Sequence, residues 1–325
     1  MPDPAERVPL GRTGLRVTRL GLGCAPLGNL YAAISDAQAD ATVAAAWDAG
    51  LRSFDTAPLY GHGLSERRLG RALRDRPRGE FVLATKAGRL LVPGRDPETI
   101  FADVPAHRPV FDFSFDGTLR AFDESLRRLG LDRVDVLHVH DPDAHEADAA
   151  AGAFRALRRL RDAGVIGAIG AGMNQSAMLT RFVERGLVDC VLVAGRYSLL
   201  DQSAVTDLLP AAASVGVAVI AAGVFNSGLL ADPRPGAPFD YVSASPEVVE
   251  RARRIADVCR RHDVPLRAAA LQFPALHPAV TTVLTGARSA AEIDENARLF
   301  AQPIPPALWA ALRRDGWIDP AVPIA

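Results

Sequence analysis

The chain has 325 residues, 49% of them hydrophobic and 23% charged, enough apolar material for a large core and a composition that excludes an extended disordered class. A formal net charge of −1, with no Lys/Arg run interleaved with aromatics, excludes a broad nucleic-acid-binding face. Three scattered cysteines, Cys24, Cys190 and Cys259, support neither a disulfide framework nor a CxxC site, and no stretch approaches about 18 uninterrupted apolar residues, so no membrane contact and a cytoplasmic location are expected.

Residues 7–19 hold two short extended runs around Gly11-Arg12-Thr13-Gly14, which predicts a hairpin. Strand-like runs then follow at 19–23, 52–55, 81–86, 134–140, 166–170, 189–193, 217–221 and 280–284. Helical runs alternate with them at 40–49, 65–73, 117–129, 151–163, 177–185, 204–213, 246–261 and 290–300. Several strands are apolar along their length, as parallel strands buried on both faces must be. Eight strand-helix units over residues 1–325 predict one closed (β/α)8 TIM barrel of α/β class. An open doubly wound sheet is the alternative, but it lacks a GxGxxG turn after its first strand, where Pro26 stands instead. Two connections, 87–116 and 222–245, exceed the usual loop length and follow the third and seventh strands. They lie at the strand C-terminal face, where barrel enzymes carry their sites, and read as lids.

Of the 37 basic residues, Lys86 is the one lysine and 36 are arginine. Lysine offers a compact charge whose pKa can be tuned, whereas arginine is a permanently charged fork. Asp55, Tyr60, Lys86 and His140 all fall at or just beyond strand ends, which converge on one rim of a parallel barrel. Tyrosine is a weak acid with a pKa of about 10, and a neighbouring ammonium is expected to lower it. A carboxylate would hold the ammonium, and a histidine would hydrogen-bond the reacting oxygen. Each residue alone has a duller account: a turn cap, a loop aromatic, a structural ion pair.

The stretch Phe54-Asp55-Thr56-Ala57-Pro58-Leu59-Tyr60-Gly61, followed by Ser65-Glu66 and Leu69-Gly70, closely resembles the aldo-keto reductase signature. The resemblance spans almost the whole chain, and within the family it is nearest to aldose 1-dehydrogenases acting on L-fucose-like sugars and to pyridoxal 4-dehydrogenases. It implies an oxidoreductase using NAD or NADP on a small carbonyl or sugar substrate, with Tyr60 as acid/base, Lys86 as its partner, Asp55 as counter-ion and His140 orienting substrate. By the same likeness Asn174 would bind the nicotinamide carboxamide and Tyr197 would stack on the ring. Asn226, Ser227, Gly228 and Leu229 would cover the pyrophosphate, and Gly286, Arg288, Ser289, Glu292 and Asn296 would hold the adenosine end. Two departures stand out. Met173 and Ala194 replace polar residues that face the carboxamide in many members, and Asp141 replaces a tryptophan, putting a carboxylate where substrate hydroxyls would meet it. Glu292 falls where members preferring NADP have an arginine, which favours NAD.

Other readings remain. His138 and His140 form an HxH that would suit a divalent metal in a hydrolase, although no metal is expected because the other histidines miss the later strand ends. His138, one layer deeper, reads as a satisfied core histidine. A barrel that binds nicotinamide without turnover, as a redox sensor, is the third class, and a general aldehyde reductase is the nearer alternative.

Overall fold

The computed structural model describes residues 2–324. Strands β1 (Arg7–Pro9) and β2 (Arg16–Thr18) form the antiparallel hairpin, Arg7 opposite Thr18. Its Leu10 and Val17 pack against inward side chains of the barrel and close one end of it. The barrel takes β3 (Leu20–Gly23), β4 (Ser53–Asp55) and β5 (Val82–Ala87), after which β6 (Arg89–Pro93) and β7 (His107–Phe111) make an excursion. It continues with β8 (Val136–His140), β9 (Ala168–Met173), β10 (Cys190–Ala194) and β11 (Ala218–Ala222). The two-residue strands β12 (Pro238–Phe239) and β13 (Val242–Ser243) interrupt it before β14 (Val280–Gly286) closes on β3. The eight barrel strands pair in parallel as one closed cylinder, as the alternation predicts.

Side chains alternate across each strand with a period of two. Leu83, Leu137 and Val139 face the surrounding helices, while Ala84, Val136, Leu192 and Ile220 fill the cylinder. Two residues beyond Ala84 and Val136 the same inward face carries Lys86 and His138, and two further on β8 it carries His140. Pleat alone therefore places one lysine and two histidines inside the barrel, near its C-terminal mouth.

The outer ring comprises α1 (Asp36–Asp48), α2 (Leu64–Leu73), α3 (Phe115–Leu129), a turn α4 (Glu146–Asp148) leading through a π turn into α5 (Phe154–Asp162), then α6 (Ala177–Glu184), α7 (Leu208–Val215) and α8 (Pro246–Arg261). It ends with α9 (Leu266–Gln272), α10 (Ala290–Ala301) and α11 (Pro306–Arg314). The amphipathic helices match the sequence reading, and Ser114 caps α3 by accepting from Gly117 N. Helices α9 and α11 escape it. Five consecutive residues of α9, Ala268 to Gln272, are buried, so no polar face marks its period. The first long connection is closed at its base by the β6/β7 hairpin, and the second carries the short hairpin β12/β13 near its end. Among the described residues no helix is long and apolar enough to cross a membrane.

Candidate active site

Asp55 ends β4, Lys86 is the penultimate residue of β5 and His140 ends β8. In register, Asp55 lies beside Ala84, Lys86 beside His138 and His140 beside Gly172, so neighbouring strands stack these groups at one end. Lys86, 1% exposed, donates from Nζ to Asp55 Oδ1 at 2.5 Å and to the Thr56 carbonyl at 2.8 Å. A buried ammonium needs both a counter-charge and acceptors, and here it has them.

Tyr60 reaches the same place from the turn between β4 and α2. That turn is pressed onto the loop after β3 with no room for a side chain: a Cβ on Gly28 would stand 2.5 Å from the Tyr60 carbonyl carbon, and one on Gly61 (φ 61°) 2.4 Å from the Gly28 oxygen. Helix α2 braces it from behind. Ser65 Oγ donates to the Cys24 carbonyl at 2.7 Å, and the Arg68 guanidinium donates to Leu27 O, Asn29 Oδ1 and Ile34 O. The Tyr60 ring centroid consequently lies 4.6 Å from Lys86 Nζ and 6.0 Å from the His140 ring, edge to face.

Burial sets the protonation states. Desolvation holds the Tyr60 phenol well above its ordinary pKa, helped by the Asp55 and Asp141 carboxylates. The opposing cation is Arg89 and it is outweighed; the lowering expected from the Lys86 ammonium is not found, and the phenol keeps its proton. His140 is driven well below the ordinary imidazole value by burial and by the positive charges of Arg89 and Lys86, so it is neutral. Burial raises Asp55, against the opposing pull of Lys86.

Asp141 follows β8 in a left-handed conformation (φ 44°), its N–H donating to Gly172 O at 3.0 Å. This conformation is uncommon outside glycine, though aspartate tolerates it better than most residues. Its Oδ2 accepts from Arg89 Nη2 at 3.1 Å and lies 3.4 Å from His140 Nε2. Arg89, the first residue of β6, also donates to the His140 carbonyl at 3.4 Å. Sequence reasoning missed Arg89; its one signal is its position at the start of a long connection that follows a strand end.

The strand ends of β9, β10, β11 and β14 form the adjoining half of the rim. Asn174 is exposed there, its carbonyl accepting from Arg196 Nε at 2.7 Å. Arg196, also unforeseen, pairs with Asp240 and Asp201 at 2.7 Å each and so ties the β12/β13 hairpin to this edge. Asn226, Ser227 and Gly228 make a tight turn with φ of 47°, 59° and 110°. Asn226 Nδ2 donates to Gly195 O at 3.3 Å while its buried Oδ1 has no partner. Ser227 Oγ accepts from the Tyr241 N–H at 3.1 Å, which brings a third unforeseen residue to this edge. Leu229 is fully buried and serves as the anchor of this turn.

At β14, Gly286 ends the strand and Ser289 caps α10, accepting from Glu292 N at 3.3 Å. Glu292 in turn accepts from Arg288 N at 2.8 Å and Arg288 Nη2 at 3.0 Å, so the two charges are already paired. Asn296 is buried, with Nδ2 donating to Thr285 Oγ1 at 3.3 Å. Tyr197 requires a correction. It is 1% exposed, with its ring 5.1 Å from Phe273 and 6.1 Å from His277, so it packs into the outer helices and offers no open face to a ligand. The cause is local: Gly195 (φ 71°) turns the chain after β10, and Ser198 Oγ fixes the next turn by accepting from Leu200 N and Asp201 N.

A model of the aldo/keto reductase family matches residues 19–314. The chain is 46% identical to a pyridoxal 4-dehydrogenase of Microbacterium luteolum, covering 97% of this chain and 98% of that protein. It is 48% identical to a D-threo-aldose 1-dehydrogenase of a Pseudomonas species, covering 92% and 94%. A holo aldo-keto reductase of Bacillus halodurans superimposes with a TM-score of 0.75 at 25% identity, covering 95% of each chain. A parallel barrel with a lysine-carboxylate pair, a protonated tyrosine and a neutral histidine at its mouth is thus found in a chain that matches this family along most of its length, and the protein belongs to the aldo-keto reductases, as an NAD(P)-dependent oxidoreductase acting on CH–OH and carbonyl groups.

Proposed function

We propose that the protein is an aldose 1-dehydrogenase, oxidising L-fucose-like lactols to lactones with Asp55, Tyr60, Lys86 and His140 at the reacting carbon. The observation that carries the sugar reading is Asp141. Its carboxylate is a quarter exposed, next to His140, and held by Arg89 through Oδ2 alone. An ionised carboxylate has acceptor sites to spare after one guanidinium contact, and sugar hydroxyls are donors that would fill them. A site built for such hydroxyls rejects analogues lacking them, because its polar groups are then left unpaired. The D-threo-aldose relative supports the same class.

The nicotinamide coenzyme fits the half-rim formed by β9 to β14. Asn226 carries a buried oxygen without a partner, and nothing stands within 4 Å of where a Gly228 Cβ would be, so ligand atoms can approach that backbone. Asn174, the turn from Asn226 to Gly228, and the Gly286 to Ser289 segment would hold it. When bound, the coenzyme supplies or accepts the hydride. Oxidation of a lactol requires the Tyr60 oxygen to take up the hydroxyl proton, so the phenol, protonated at rest, must first release its own proton, whereas carbonyl reduction requires the phenol to give it; Lys86 and Asp55 hold the positive charge beneath the ring, and neutral His140 directs an N–H toward the substrate oxygen.

Steady-state kinetics on L-fucose, L-galactose, D-arabinose, pyridoxal and benzaldehyde tests the substrate class. The aldoses are expected to show the highest kcat/KM, and Asp141→Ala to lower it for aldoses more than for benzaldehyde. A higher value for benzaldehyde than for every aldose overturns the reading; a higher value for pyridoxal moves it to the second reading, favoured by the pyridoxal 4-dehydrogenase relative.

We further propose a preference for NAD of about tenfold. Glu292 would repel a 2′-phosphate, and its pairing with half-exposed Arg288 keeps that arginine from acting freely, but exposed pairs of this kind are weak and NADP would still bind. Glu292→Arg is expected to reverse the order of the two coenzymes in kcat/KM. A wild-type preference for NADP that Arg288→Ala abolishes would show that the arginine governs the site.

A further inference from the structure

His138 departs from its expected role as a satisfied core histidine. It is fully buried, and neither ring nitrogen has a hydrogen-bond partner. Orphaned buried polar atoms are rare and each requires a reason. A third orphan lies beside them: Asp55 Oδ2, also buried and without a partner, 3.9 Å from His138 Nε2. That distance is too long for a hydrogen bond and about 1 Å from a good one. The other oxygen of Asp55 is the one that Lys86 occupies.

The surroundings admit this imidazole deliberately. Across the β8–β9 pairing, His138 lies opposite Gly170, where a Cβ would stand 2.0 Å from His138 Nδ1. No other residue leaves room for the ring. The groups facing Asp55 are Lys86 from β5, His138 from β8, Tyr60 from the turn after β4, and the Cys24 and Cys190 thiols. Those facing His138 are Asp55, Lys86 and His140. Among all of these, His138 Nε2 is the one imidazole nitrogen within 4 Å of the free carboxylate oxygen. A second cation beside Lys86 is disfavoured, and burial pulls the imidazole down to about 3, so His138 stays neutral with one N–H to give.

We propose that His138 is a positioning residue of the reaction: its Nε2–H is directed at Asp55 Oδ2 and fixes the carboxylate, so that Lys86 is held under Tyr60. The inference rests on the tetrad reading above. A donor to the charged form of a carboxylate lowers its pKa, and removing the donor raises it. Activity that needs ionised Asp55 should then switch on at higher pH.

The variants are His138→Leu, which removes the donor, and His138→Gln, which restores an N–H of similar reach. For His138→Leu, kcat is expected to fall roughly tenfold or more with KM changed less than about threefold, and the acidic limb of kcat/KM to move up by about one pH unit, a tenfold change in proton affinity. His138→Gln should recover most of both. Unchanged kcat and limb in the Leu variant, or equal impairment of both variants with no movement of the limb, overturns the proposal in favour of simple packing. A readout on the wild type stands independently of folding and of turnover: 15N NMR of the imidazole is expected to show the Nε2–H tautomer at neutral pH, and the Nδ1–H tautomer would overturn it. If Tyr60→Phe remains active, the tetrad reading fails; if Tyr60→Phe is inactive and His138→Leu is normal, only this inference fails.

Discussion

Tyr60→Phe is expected to lower kcat by about 10²-fold or more while leaving coenzyme affinity within about threefold, because it removes the proton donor and little volume. The phenol keeps its proton through the neutral range, since burial and two carboxylates oppose its ionisation. It therefore approaches a carbonyl as an acid, and the reverse reaction must return a proton to it. The ring also packs near Phe101 and over the Lys86 ammonium, contacts that phenylalanine preserves. Stopped-flow measurement of the hydride step, with coenzyme binding followed by fluorescence, separates the two quantities. A chemical step retaining more than a tenth of the wild-type rate would remove Tyr60 from the role assigned to it.

Lys86→Arg is expected to be nearly as damaging, although charge is conserved. The ammonium fits between Asp55 Oδ1 and the Thr56 carbonyl at 1% exposure, and the Cε beneath it lies against Gly172, where a Cβ would stand only 3.5 Å away. A planar fork with five donors has no such berth, and displacement of a catalytic group by about 1 Å costs on the order of 10²-fold in rate. Lys86→Met should instead fail by another route, leaving the Asp55 charge buried without its partner, at about 3–5 kcal/mol of stability. Comparing kcat with the denaturation midpoint distinguishes them: Arg should lose rate with a moderate change in midpoint, Met both. Normal turnover by a folded Lys86→Arg variant would show that the single lysine has no chemical significance.

Much of this was legible because a parallel barrel converts chain position into spatial position. Runs apolar on both faces announce buried parallel strands, and any polar residue ending such a run must lie at the mouth; Asp55, Lys86 and His140 are placed by that rule alone. Tyr60 lies five residues past a strand end, and only the resemblance of its surrounding motif distinguished it from a loop aromatic. Residues whose orientation depends on a turn were not legible. Tyr197 is three residues beyond β10, and the left-handed Gly195 swings it outward where continuing strand geometry would have kept it at the rim. Arg89 and Arg196 act through long side chains that cross between elements remote in sequence, and an arginine-rich composition hides them among 34 others. Whether a buried histidine has a partner depends on three-dimensional distance, so His138 passed for ordinary core.

The burial of the single lysine also bears on chemical durability. Reducing sugars condense with accessible amines, and lysine side chains are the usual targets of such adduct formation. The 36 arginines offer guanidinium groups, which do not form Schiff bases with aldoses in the same way. Under the aldose reading proposed above, the exposed basic side chains meeting the sugar would all be guanidinium groups. The one amine side chain is 1% exposed, held against Asp55 and the Thr56 carbonyl near the barrel mouth.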